Sequence, residues 1–152
     1  MKEAPDYRLW PPLALGLPLV GGLAATAADL DPVTLPAAVR GIGWALVAGC
    51  VAWNGWAMAL MARHRTGLLP GQEATTVLDR GPFRVSRNPL YLGLIALDAG
   101  LALLWPSFWA LALVPVGVGL LTWGAILPEE RYLGAKFGTA YADYAARVRR
   151  WL

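Results

Sequence analysis

At 152 residues and formal net charge +3, with 57% hydrophobic and 15% charged residues, the chain has the length of one domain but far fewer charges than the roughly 25% of a soluble one. The apolar residues fall in long runs, which excludes a soluble globular protein and indicates an integral membrane protein. The basic surplus clusters beside those runs, which argues for an anionic membrane face and against nucleic acid. A single cysteine (Cys50) and a single histidine (His64) exclude an internal disulfide and a Cys/His metal cluster.

The first apolar segment runs from about residue 9 to 28 and carries Pro11, Pro12 and Pro18, which a membrane helix tolerates near its start or at a kink. Ala25-Thr26-Ala27 resembles a signal-peptide cleavage site, but the mixed charges of Lys2, Glu3, Asp6 and Arg8 favour a retained helix. A turn with Asp29, Asp31, Pro32 and Pro36 follows. The second segment, 41–62, has no charge and is long enough to span. Gly41, Ala45 and Gly49 recur at four-residue spacing, a stripe expected to let a neighbouring helix approach closely. Asn54 lies deep in this segment.

The loop from Arg63 to Arg87 is basic, and Gly67, Pro70, Gly71 and Gly81-Pro82 argue against a long helix in it. At Asn88-Pro89 a helix-start signal appears, with Asn88 as the expected N-cap and Pro89 at the first helical position. The third segment, 89–104, has 16 residues, about 24 Å of helix. Trp105-Pro106-Ser107 makes a tight turn into the uncharged fourth segment, 106–127, so segments three and four form a helical hairpin. In the tail, 128–152, Glu130, Leu133, Phe137, Tyr141, Tyr144, Val148 and Trp151 fall on one helical stripe, interrupted by Gly138. The tail therefore reads as an amphipathic helix on the membrane face.

These features define an all-α integral membrane fold: one domain, four transmembrane helices and a C-terminal amphipathic helix. The positive-inside rule places the N-terminus, the 63–87 loop and the tail in the cytoplasm, as expected for a protein of the cell inner membrane. Two polar corners then share the cytoplasmic side. One presents a helix N-terminus with Arg84 and Arg87, suited to a carboxylate or phosphate. The other presents Glu129 and Glu130, suited to an ammonium group or ribose hydroxyls. Tyr91, Tyr132, Tyr141 and Tyr144 add flat amphipathic surfaces. A zwitterionic, adenine-bearing ligand matches all three; simple pairing of the arginines with the glutamates at the interface is the alternative.

The pattern Gly81-Pro82-Phe83-Arg84, then Arg87-Asn88-Pro89-Leu90-Tyr91-Leu92-Gly93, then Glu129-Glu130 with Leu133, then Phe137-Gly138 with Tyr141 and Tyr144, resembles the integral membrane methyltransferases typified by isoprenylcysteine carboxyl methyltransferase. The phospholipid N-methyltransferases share it. The resemblance covers about 79–150. It implies S-adenosylmethionine as cofactor, bound in a cytoplasmic-facing pocket beneath the tail, and no metal. It implies catalytic roles for Arg87, Asn88 and Glu130. The cofactor surface it implies comprises Arg84, Arg87, Asn88, Pro89, Tyr91, Gly93, Glu129, Glu130, Tyr141 and Tyr144. Of the two glutamates Glu130 is favoured, because it lies on the apolar stripe. Where the family has Arg-His-Pro this chain has Arg87-Asn88-Pro89, and Asn cannot titrate. Methyl transfer from a sulfonium needs chiefly positioning and exclusion of water. The expected acceptor is a lipid-soluble or small apolar carboxylate, thiol or amine. A nicotinamide-dependent membrane reductase of the sterol reductase type and a non-catalytic membrane scaffold are the competing readings. Asp98, an acid within an apolar span, either touches Asn54 or Thr122 or lines the substrate pocket.

Overall fold

A computed structural model describes residues 5–67 and 73–152; Pro70 and Gly71, expected in a loop, lie outside the described residues. Among the described residues all regular structure is helical. Helix α1 spans Pro11–Ala27, α2 Val39–Arg63, the short α3 Pro82–Val85 and α4 Pro89–Leu104. Beyond the Trp105–Ser107 turn, α5 (Phe108–Ala112), α6 (Val114–Leu121), a π-helical turn (Thr122–Ile126) and α7 (Leu127–Phe137) run into one another as a single 30-residue apolar rod. Helix α8 (Thr139–Arg147) follows.

Two helices, α2 and the 108–137 rod, are long and apolar enough to cross a membrane, whereas α1 and α4 are shorter apolar helices. Their outer faces are the reverse of a soluble protein's. Trp44, Val51, Trp56, Val20, Trp105 and Trp123 are all more than half exposed. An apolar exterior of this extent needs lipid or a protein partner to cover it. From Phe108 to Leu127 the rod measures about 30 Å, the thickness of a hydrocarbon core. Pro128 and the residues after it lie beyond that span.

Helix α2 packs along α4, and α1 packs against α5 and α6. The α2–α4 contact centres on glycines, but not on the anticipated stripe. Gly41 and Gly49 face open space. The crossing falls instead at Gly43 and Gly100, where a Cβ on Gly43 would sit 2.9 Å from the Gly100 carbonyl oxygen. Four-residue spacing identified a smooth strip without identifying the side that meets a neighbour. At this end Ser107 caps α5 by accepting from the Ala110 amide (3.0 Å) and donates to the Gly22 carbonyl (3.3 Å). The Trp109 indole donates to the Leu30 carbonyl at 2.8 Å. The acidic turn after α1 and the uncharged turn after α4 thus meet at one end of the bundle.

The opposite end holds the basic loop, the start of α4, and α7–α8. The anticipated single tail helix is two helices, separated at Gly138, whose φ of +54° suits glycine alone among ordinary residues. Tyr141, Tyr144 and Val148 are buried there against Val77, Leu133 and Phe137.

The π turn has a specific cause. Pro128 has no N–H to give to the Gly124 carbonyl four residues back, and the Leu127 N–H reaches Thr122 instead. The freed Gly124 carbonyl accepts from the amides of Arg8 (2.8 Å) and Leu9 (3.2 Å). Glycine at 124 is required for this approach, since a Cβ would lie 2.6 Å from the Leu9 Cβ. Arg8 then stacks over the Trp123 ring, 5.4 Å from its centroid. The segment ahead of α1 is thereby drawn across the bundle toward the loop end.

Candidate functional site

A cavity of about 300 Å³ opens between these elements, near the lower bound for small-molecule sites. Its apolar walls include Met58 and Met61 of α2, Leu90 and Leu94 of α4, Val77 and Leu78 of the loop, and Phe83 of α3. Tyr7, Asn54, Arg87, Asn88, Tyr91, Glu129, Tyr132, Tyr141 and Tyr144 also line it.

The two polar corners meet here. The Tyr91 hydroxyl, one turn into α4, donates to Glu129 Oε2 at 3.1 Å. Arg87 Nη2 lies 3.4 Å from Glu130 Oε1. Tyr7, delivered by the N-terminal segment, shares hydrogen bonds with Tyr91 and Glu129. Burial pushes the Glu129 carboxyl up to about 7, with the neighbouring Glu130 charge adding to the rise and the Tyr91 hydrogen bond opposing it. Burial likewise raises the hydroxyls of Tyr141 and Tyr144.

The adjacent glutamates play different parts. Glu129 faces the cavity. Glu130 does not line it; its carboxylate takes two hydrogen bonds from Arg150, from Nε at 2.9 Å and Nη2 at 2.7 Å. The apolar stripe therefore places Glu130 against protein, but against arginines rather than against the cavity.

Asn88 departs from its anticipated role as a side-chain cap. Its side chain makes no capping hydrogen bond. Its Nδ2 instead donates to the Arg150 carbonyl at 3.0 Å, while its amide donates to Ser86 Oγ at 3.1 Å. Ser86 Oγ in turn donates to the same Arg150 carbonyl at 3.0 Å. Pro89 starts α4 as expected, and its carbonyl accepts from the Trp53 indole at 2.9 Å. The Tyr144 hydroxyl donates to the Phe83 carbonyl at 2.7 Å, which ties α8 to the loop.

Three further residues are placed as follows. Arg84 is exposed and does not line the cavity. Gly93 is buried under the Asn54 side chain, where no Cβ would fit; it makes room for Asn54 and does not itself line the cavity. Asp98 is partly buried, does not line the cavity and has no hydrogen bond to Asn54 or Thr122; the Thr122 hydroxyl donates to the Val118 carbonyl at 2.6 Å.

Two buried polar atoms at the cavity have no hydrogen-bond partner among the described residues: Asn54 Oδ1, an acceptor, and Arg87 Nε, a donor. Native structures rarely leave such atoms unsatisfied, and both belong to residues lining the cavity. An occupant with its own donor and acceptor groups would satisfy them. Among the described residues no cluster of His, Cys, Asp or Glu could hold a metal ion. Residues missed at the level of sequence are Tyr7, Ser86, Asn54 as a cavity residue, and Arg150. Of these, Asn54 carried a signal as a polar residue deep in an uncharged span, and Arg150 as a basic residue of the tail.

Residues 39–140 match the family model described as phospholipid methyltransferase. No curated protein and no solved structure gives a match.

Proposed function

The chain belongs to the phospholipid methyltransferase family, and from that premise we propose that it transfers a methyl group from S-adenosylmethionine to a lipid-soluble or small apolar acceptor. The observation that supports this most is the unpartnered Arg87 Nε and the cavity-facing Glu129 carboxylate on the walls of one largely apolar chamber. Such a chamber offers separate partners for the two charges of an amino-acid moiety.

In this reading Arg87 takes the cofactor carboxylate and Glu129 its ammonium. The tyrosines at 91, 132, 141 and 144 supply flat walls with hydroxyl edges for the nucleoside. S-adenosylmethionine supplies a methyl group on a sulfonium, which needs no metal and little proton transfer. What the protein contributes is orientation and dryness. The helix pair α7–α8 covers the chamber, and Tyr144 fastens that cover to Phe83. Asn88 holds the tail through the Arg150 carbonyl, a role in which a non-titrating side chain suffices. Met58, Met61, Leu90 and Leu94 form the apolar side from which an acceptor with an alkyl chain would approach.

All four apolar helices cross the membrane in this reading, α1 and α4 being accommodated by local thinning of the bilayer. The loop end and both termini face the cytoplasm of the cell inner membrane. The test is methyl transfer from labelled S-adenosylmethionine to a panel of amine, thiol and carboxylate lipids in nanodiscs. Transfer to at least one acceptor, inhibited by S-adenosylhomocysteine, is expected. Saturable binding of reduced nicotinamide dinucleotide phosphate without transfer would overturn the reading in favour of a reductase, and binding of neither nucleotide in favour of a scaffold.

A further inference from the structure

From Val148 to Trp151 the segment after α8 is bound against the site. The Arg149 carbonyl accepts from the Arg87 amide at 3.0 Å. The Arg150 carbonyl accepts from both Ser86 Oγ and Asn88 Nδ2, each at 3.0 Å. The Arg150 guanidinium grips Glu130 with two bonds, and Trp151 packs on the cluster that contains Tyr91, Leu121 and Ile126. Segment 148–151 lies beyond the matched 39–140 stretch, yet it touches the residues on either side of Arg87 and the carboxylate beside it.

The charges decide what this contact does. Glu130 stands between two arginines, with Arg150 at 2.7 Å and Arg87 at 3.4 Å. Arg150 thus holds the carboxylate with the better geometry, a forked pair of charge-assisted bonds. Arg87 is left with the longer contact to Glu130, an Nε without partner among the described residues, and a backbone fixed by Arg149. Without Arg150, Glu130 would have one guanidinium to pair with, and Arg87 would turn to it.

We propose that Arg150 is a positioning residue that occupies Glu130 and so keeps Arg87 available to the carboxylate of the cofactor. The proposal rests on the donor reading given above, and it assigns Arg150 no contact with the cofactor itself. It predicts an effect confined to one group of the ligand, whereas a residue that merely held the fold together would weaken all ligands alike.

The experiment is calorimetric titration in nanodiscs with S-adenosylhomocysteine and with the same thioether lacking its carboxylate, against wild type, Arg150→Gln and Arg150→Lys. For Arg150→Gln we expect S-adenosylhomocysteine to bind about 10- to 100-fold more weakly and the decarboxylated ligand to change by less than about threefold. Lys presents one charge without the fork, so Arg150→Lys should lie between wild type and Gln for the first ligand. Equal losses for both ligands, or no loss for either, would overturn the positioning role while leaving the donor site in place. Absence of S-adenosylhomocysteine binding to wild type would overturn the donor site and this role together. If Arg150→Gln fails to fold, the Lys variant carries the comparison, and a ligand-independent loss in it has the same overturning force.

Discussion

Replacing Glu129 with Gln removes a charge while keeping the shape and an acceptor for the Tyr91 hydroxyl, which now lies 3.1 Å from Oε2. If Glu129 holds the cofactor ammonium, the loss is one charge-assisted hydrogen bond, about 1.5–3 kcal/mol, or about 10- to 150-fold in dissociation constant. The pH dependence sharpens the test. Burial raises this carboxyl from the ordinary glutamate range to about 7. The free site is therefore mostly neutral at pH 6 and mostly ionised at pH 8. Ligand binding that needs the anion should tighten about tenfold between those values and level off above them. For the unliganded protein the sign is opposite. A raised carboxyl favours the folded state most below the unfolded pKa, and that contribution disappears as pH rises through 7. Titration of S-adenosylhomocysteine at pH 6, 7 and 8 should show the tightening in wild type and a flat, weaker profile in Glu129→Gln. Equal affinity and an unchanged profile in the variant would refute the assignment.

Three other outcomes follow from the packing and the topology. Gly43→Val should lower stability in detergent by about 1–3 kcal/mol, because its Cβ meets the Gly100 carbonyl and the backbone of Leu104; Gly49→Val, which faces open space, should change thermal unfolding little, and equal shifts would contradict the assigned crossing. Tyr144→Phe removes the 2.7 Å bond to the Phe83 carbonyl and should cost about 1 kcal/mol, read as a lowered unfolding midpoint and faster hydrogen exchange in 81–88. In a Cys50→Ala background, a cysteine at Arg84 should react with impermeant maleimide from the cytoplasmic side and one at Val33 from the opposite side; labelling of both from one side would exclude the four-span arrangement.

How legible these features were in the sequence depended on whether local chemistry alone decides them. Helix α4 runs from Pro89 to Leu104, as read, because a proline at its start and Trp105-Pro106 after its end act on their own neighbours. The meeting of the arginine and glutamate corners was legible too, since a hairpin with one short turn returns the chain to the end it left. The junction at 127–128 was not a boundary: Pro128 sits where its missing N–H is absorbed by the π turn, and the rod runs through. The choice between Glu129 and Glu130 was beyond pattern reasoning, because it depends on Arg150, twenty residues on, competing for one carboxylate. Tyr7 gave no signal at all. Its place follows from a carbonyl freed in another helix, a tertiary event that no window of the N-terminal sequence contains.

The π turn has one more effect, on helical phase. Its extra residue delays every later side chain by about 100° relative to an uninterrupted α-helix. The inward face of the rod passes through Gly117, Leu121 and Ala125, all buried, and after the delay arrives at Glu129, Tyr132 and Leu133, all on the cavity. An unbroken 3.6-residue period would have brought round Pro128 and Arg131 instead. For this length of chain the aim of the acid thus depends on the turn at 122–126 staying π-helical. Tightening the turn to 3.6 residues with no deletion would swing the acid about 100° away from the cavity, whereas deleting one position between 122 and 126 would let the rod close into a regular α-helix with the acid still aimed inward, so rotation of this helix, rather than replacement of its residues, is the shortest route by which the same sequence could lose or redirect its chemistry.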